Sequence, residues 1–175
     1  MEELLRAVEG TAPRCGAVRV IAVDGGAASG KTTLAGRLAA ALPDCAVVHL
    51  DDLLDGWAGQ FGYRDRLHAE LLAPLADGRA GSYLRYDWAA GRFGDRVAVA
   101  PPRHLVVEGV SAIWGCAPYW SAAAHLAVGR AERERRWAER DGPPQPEWRA
   151  WLDAEDRFFA EHPVPAGATI LRSRT

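Results

Sequence analysis

The octapeptide Gly25-Gly26-Ala27-Ala28-Ser29-Gly30-Lys31-Thr32 decides how this chain is read. It fits the pattern G-x-x-x-x-G-K-[ST], with Gly25, Gly30, Lys31 and Thr32 in the required places. The apolar run from Val18 to Val23 precedes it and reads as a buried parallel strand. Thr33 to Leu42 follows, with Leu34, Leu38 and Leu42 spaced by four, and reads as a helix closed by Pro43. Strand, glycine-rich loop and helix in that order make an anion cradle. Glycines let the backbone curl with its N–H groups inward, and the helix adds the positive end of its dipole. The guest this predicts is a nucleoside triphosphate, ATP with Mg²⁺. Gly25, Gly26, Ala27, Ala28, Ser29, Gly30, Lys31, Thr32 and Thr33 are expected to surround the phosphates. Lys31 is expected to reach the β- and γ-phosphates, and the Thr32 hydroxyl to ligate the metal.

Lys31 is the only lysine, against 20 arginines. Where arginine serves at every other basic position, the one retained lysine points to a place that needs a compact ammonium rather than a planar guanidinium.

Outward from the loop, strands alternate with helices. Ala46 to Leu50 reads as a second buried strand, Leu105 to Val107 as a third, Leu126 to Val128 as a fourth and Thr169 to Leu171 as a last one. Helices are expected over 64–76, 130–140 and 147–162, and residues 82–99 read as two short strands or an extended excursion. This is an α/β pattern with a parallel sheet, in which ligands bind beyond the carboxyl ends of the strands. The phosphate loop, Asp51 and Glu108 all fall there. Asp51 stands where a base would accept a hydroxyl proton, and Asp52 reads as a turn or capping residue. Glu108 is placed to hold the metal's shell. Arg133, Arg136 and Arg140 recur on one side of a charged helix, a row that could clamp phosphoryl oxygens if the helix closes as a lid; the other charges read as a salt-bridged solvent face.

With 175 residues the chain suits one domain, and residues 1–175 are read as a single domain with a short lid near 130–146. A net charge of -2 argues against a nucleic-acid partner. No apolar run suits a membrane span, and three unpaired cysteines fit a reducing, cytoplasmic setting. The chain has no Asn, so it lacks the Asn-Lys-x-Asp element that reads guanine, which disfavours a GTPase switch. Trp57, Trp88 and Phe93 could line an acceptor pocket, while Trp114, Trp120, Trp137, Trp148 and Trp151 read as helix packers. The partner expected is a small molecule bearing a hydroxyl.

The order of VIAVDGGAASGKTT (20–33), VVHLDDLL (47–54), YDW (86–88), VVEG (106–109) and R-x-x-R-x-x-x-R-D (133–141) resembles the uridine kinase-like P-loop kinases, related more distantly to phosphoribulokinase and pantothenate kinase. The resemblance covers about residues 18–171. It implies a P-loop NTPase fold with a five-stranded parallel sheet of order 2-3-1-4-5 flanked by helices. It implies transfer of the γ-phosphoryl group of ATP to a small-molecule hydroxyl, a nucleoside first, with a vitamin, sugar or antibiotic alcohol as the alternative. A nucleotide-binding regulatory module without transfer activity is the other reading. By resemblance Asp51 matches the catalytic base, Tyr86 and Asp87 a tyrosine-aspartate pair by the nucleoside, Glu108 the carboxylate by the metal, and Arg133, Arg136 and Arg140 the lid arginines. Three stretches depart from the family. GPPQPEW follows Arg140-Asp141 in place of further basic residues. Ala89 to Arg92 stands where pyrimidine-recognising members place a histidine, which leaves Arg92 as an acceptor-side candidate. Leu54 replaces a tyrosine. The phosphotransfer residues are kept and the acceptor pocket is changed.

Overall fold

The computed structural model describes residues 1–143 and 145–172; Pro144, in the proline-rich stretch 142–146, and the last three residues lie outside. Five strands form a parallel sheet: β1 (Arg19–Gly25), β2 (Cys45–His49), β5 (His104–Glu108), β6 (Trp120–Ala127) and β7 (Thr169–Arg172). A separate antiparallel hairpin joins β3 (Gly81–Asp87) to β4 (Arg92–Val99), which settles the stretch at 82–99 as two strands. Numbered through all seven strands the sheet order is β2-β5-β1-β6-β7. Without the hairpin, that is 2-3-1-4-5, the order expected.

The central strands β1 and β5 are buried on both faces, as parallel strands are when helices cover each side, while the edge strands β2 and β7 are only partly buried. In β1, Val20 and Ala22 face one hydrophobic cluster and Ile21 and Val23 the other. The second cluster is covered by α1 (Glu2–Gly10) through Leu4 and Val8, and by α2 (Lys31–Ala41) through Leu34, Ala35 and Leu38. The first is covered by a continuous helix over 64–76, made of α3 (Arg64–Arg66), a π segment (Leu67–Leu72) and α4 (Ala73–Ala76). Fully buried Leu67, Leu71, Leu72 and Leu75 lie on it, each side chain contributing about 1.5–3 kcal/mol by leaving water.

The fourth parallel strand is longer than the sequence pattern suggested, since β6 begins at Trp120. Its first half, Ser121 to Ala124, is built of small residues with little β preference of their own. They are buried in the sheet, with Ala122 and Ala124 in the cluster beneath α1 and α2. A short helix, α5 (Ala112–Gly115), follows β5, and α6 (Arg130–Asp141) and α7 (Pro146–Glu161) lie between β6 and β7. Gly142, at φ 89°, ends α6, and Pro146 opens α7.

Candidate active site

The site grows from the end of β1. Gly25 ends that strand at φ 144°, where a Cβ would stand 2.8 Å from both the Leu126 carbonyl oxygen and Ser29 Oγ. Asp24, fully buried beside it, anchors the turn. Its Oδ1 accepts the N–H of Gly25 at 2.6 Å and of Ser111 at 2.9 Å, and its Oδ2 that of Ile113 at 3.2 Å. One carboxylate thus joins the phosphate loop to the start of α5, which holds the segment after Glu108. Burial raises the Asp24 pKa to about 6, against the lowering pull of those N–H groups and Lys31.

Among the described residues, the N–H groups of Ala28, Gly30, Lys31, Thr32 and Thr33 have no protein acceptor. Lys31 is buried, its Nζ donates to the Gly26 carbonyl oxygen at 3.0 Å, and no described carboxylate lies within 4 Å of it. A buried ammonium with three donors and one neutral acceptor, above a row of unpaired N–H groups, is a site built for a multiply charged anion. Ser29 Oγ, buried and without a partner, lies in the same loop.

Across from the loop, β2 runs into a 3₁₀ turn (Leu50–Leu53) that carries Asp51. The chain after β5 passes so close to Leu50 that a Cβ on Gly109 would meet its Cβ at 2.5 Å, which draws Glu108 and Asp51 together. Glu108 Oε1 accepts the Thr32 hydroxyl at 2.9 Å and His49 Nδ1 at 2.6 Å. Burial would raise the Glu108 pKa, but the His49 hydrogen bond, the Lys31 charge and the Thr32 hydroxyl outweigh it and hold it low. His49 is raised in turn by its bond to Glu108. Asp51 is raised, by desolvation first, with Lys31 opposing and Glu108 adding to it. Asp51 is exposed at the wall of the cavity.

That cavity, about 680 Å³, lies between the phosphate loop, Asp51, Glu108 and the α6–α7 turn. Arg136, Arg140, Asp141 and Gln145 line its α6–α7 side. Arg136 Nε pairs with Glu132 at 2.7 Å, and Arg140 with Asp141 at 2.6 Å. Trp57, Trp88, Trp137, Trp148 and Trp151 form the rest of the wall. Trp137 and Trp148 stack at 4.6 Å, Trp57 meets Trp151 edge-on at 5.5 Å and Trp88 at 5.4 Å, and Trp88 Nε1 donates to the Asp51 carbonyl oxygen at 3.2 Å.

The structure therefore gathers Lys31, Thr32, Asp51, Glu108, Arg136 and Arg140 at one cavity. Other sequence candidates lie elsewhere. Arg133 is buried against Glu155 and Asp156 rather than lining the cavity. Asp87 caps the hairpin turn through the N–H groups of Ala89 and Ala90. Tyr86 is packed between Trp88 and Phe93, Arg92 is exposed at the hairpin, and Phe93 lies under the Arg66 guanidinium at 4.2 Å. Trp137, Trp148 and Trp151, read from sequence as helix packers, both pack and form the wall. The usable signal was the i, i+3 spacing of Trp148 and Trp151 just past the α6–α7 turn, which puts both on one face.

Among the described residues no three His, Cys, Asp or Glu side chains are grouped to hold a metal by themselves. Mg²⁺ characteristically takes one or two carboxylates together with phosphate and water oxygens, and the hard oxygens of Thr32 and Glu108, side by side next to the anion cradle, fit that habit. Among the described residues, no helix is long and apolar enough to cross a membrane.

No protein-family model and no curated protein matches the chain in sequence. Solved structures do match its fold. A possible uridine kinase from Bacillus stearothermophilus superposes with TM-score 0.65 at 20% identity, covering 97% of this chain and 99% of that one. A candidate fructose transport system kinase from Silicibacter sp. TM1040 gives TM-score 0.64 at 22% identity over 87% and 89% of the two chains. A gluconokinase from Sinorhizobium meliloti 1021 gives TM-score 0.56 at 12% identity over 90% and 83%. The chain therefore shares its fold with these solved kinases.

Proposed function

We propose that this chain is an ATP- and Mg²⁺-dependent phosphotransferase that moves the γ-phosphoryl group to a hydroxyl of a small molecule, with a nucleoside as the favoured acceptor class. The observation that carries the reading is Lys31: a buried ammonium without a carboxylate partner, set among unpaired N–H groups, opposite a carboxylate at the end of the neighbouring strand. The fold shared with solved kinases supports it.

In this reading the loop N–H groups and Lys31 hold the triphosphate. Asp51, at the cavity wall, orients the acceptor hydroxyl and takes its proton. Arg136 and Arg140 add positive charge on the α6–α7 side, where a lid over residues 130–146 would close. Thr32 and Glu108 would hold Mg²⁺, which when bound supplies charge neutralisation at the phosphates. The remaining work is positioning of two reactants in a desolvated cleft. The partners assigned are ATP, Mg²⁺ and a small acceptor, with no role for nucleic acid or membrane.

The tryptophan wall suits a flat ring, which favours a nucleoside. The same wall favours a second reading. Tyr86 and Asp87, the pair expected beside a nucleoside, are occupied in the hairpin, and indole faces also stack on sugar rings, as an acceptor of the fructose kind would allow. The test is ADP release from ATP–Mg²⁺ with uridine and cytidine, then pantothenate and simple sugars. Acceptor-dependent ADP release supports the transferase and identifies its class. ATP binding with no acceptor-dependent release across the panel would turn the reading to a nucleotide-binding regulatory module.

A further inference from the structure

The loop pattern asks for glycine at 25 and 30, yet residue 26 is also glycine. The structure supplies a reason. A Cβ on Gly26 would stand 2.3 Å from Arg133 Nη1 and 2.9 Å from Glu155 Oε2. An ion pair joining α6 to α7 therefore lies directly against the backbone of the phosphate loop.

Glu155 is fully buried, and both of its oxygens are engaged. Oε1 accepts the Ala27 N–H at 2.9 Å and the Trp151 indole N–H at 2.7 Å. Oε2 takes the Ala27 N–H at 3.1 Å and Arg133 Nη1 at 2.5 Å. Arg133 Nη2 goes on to Asp156 at 2.8 Å, and Asp156 to Arg130 at 2.7 Å. The carboxylate thus touches one donor of the anion-binding loop and one tryptophan of the cavity wall, with a buried guanidinium as its counter-charge. A carboxylate on a loop that must receive phosphate would repel its guest if unneutralised, which gives Arg133 a purpose away from the cavity.

Resting on the kinase reading above, we propose that Glu155 is a positioning residue that fixes the phosphate loop to the tryptophan wall, so that occupancy of the loop is transmitted to Trp151. It does not touch the reacting groups. It sets Ala27 and Trp151 relative to each other, as one rigid hydrogen-bonded unit.

The probe is ADP with Mg²⁺, and the readouts are its affinity by calorimetry and the ¹⁵N-labelled indole N–H signal of Trp151, assigned by its loss in Trp151→Phe. In the wild type, ADP–Mg²⁺ shifts the Trp151 signal. In Glu155→Gln, which keeps the shape but cannot serve all three donors, affinity falls about tenfold and the Trp151 signal no longer responds at saturation. Asp153→Asn, which removes only an exposed partner of Arg130, leaves both readouts as in the wild type. If Glu155→Gln does not fold, Gly26→Ala tests the same contact from the loop side without deleting a charge, and the same two losses are expected. A Trp151 response that survives at saturation in the folded variant, or unchanged affinity, overturns the proposal. Absence of ADP–Mg²⁺ binding to the wild type is a separate failure: it removes the kinase reading and this inference with it.

Discussion

Lys31 Nζ stands 3.0 Å from the carbonyl oxygen of Gly26, in the same loop, and no described carboxylate comes within 4 Å of it. The chain's only lysine is held in place by backbone, and Asp24, Asp51, Glu108 and Glu155 feel its charge without any of them forming a direct ion pair with it, which leaves its remaining donors open to a guest.

Lys31 bonds only to the Gly26 carbonyl and its charge reaches four carboxylates around the loop. Lys31→Met should abolish turnover and weaken ATP–Mg²⁺ binding at least tenfold, so that nucleotide no longer raises the melting temperature as it does in the wild type. Turnover assays and thermal melts with and without nucleotide check both halves. A variant that is less stable and binds ATP normally would show that Lys31 is a structural residue.

Asp51→Asn should lower phosphoryl transfer by roughly 10²–10⁴-fold and leave ATP affinity unchanged, whereas Asp52→Asn should do little. Because the Asp51 pKa is raised by burial, transfer should fall on the acid side at a pH above that of an ordinary carboxylate, since the group must be ionised to accept a proton. A pH–rate profile on the wild type gives the limb, and the reverse ranking of the two variants would mean that the neighbour is the base.

The tryptophans of the wall should divide by burial. Trp57 and Trp88 are 44% and 40% exposed, so their replacement by Ala should mainly raise the acceptor KM, by roughly 5- to 150-fold if each stacks on a ring. Trp137 is 5% exposed and stacked on Trp148, so Trp137→Ala should destabilise the fold by about 3–5 kcal/mol. Acceptor kinetics and denaturation on the three variants separate the two kinds.

How much of this could be read from the sequence depended on whether the chemistry was local. The phosphate loop, the alternation of strands and helices and the strand-end carboxylates are carried by contiguous residues whose own conformational needs are visible, as with Gly25 and Lys31. The start of β6 was not visible because an alanine-rich strand lacks the branched and aromatic residues that mark one. The roles of Asp24 and Glu155 were not visible either. Asp24 bonds to residues 111 and 113, and Glu155 to residue 27, and only the folded chain brings those partners together. Arg133 falls on the same helical row as Arg136 and Arg140. What takes it from the cavity is Glu155, on another helix.

Asp24 gives a stability prediction with a definite sign. Its pKa rises from the ordinary 3.8 to about 6 on folding, so between those values the folded chain keeps a proton that the unfolded chain has lost. Stability from this group is thus fully present below the unfolded pKa and is lost as pH rises through the folded one, by up to about 3 kcal/mol. Asp24→Asn removes the titration. The stability of the wild type relative to the variant should therefore fall from about pH 4 to above pH 6, measured by denaturant melts across that range. A gap that grows with pH would mean that Asp24 is held ionised by its three N–H donors.

The most direct measurement is transfer of label from γ-³²P-ATP with Mg²⁺ to the acceptor panel, using wild type and Asp51→Asn at equal ATP occupancy. The account predicts a labelled phosphorylated acceptor with the wild type and a loss of at least a hundredfold in the variant. Undiminished transfer by Asp51→Asn, or bound ATP with no labelled acceptor from nucleosides, pantothenate or sugars, would contradict it.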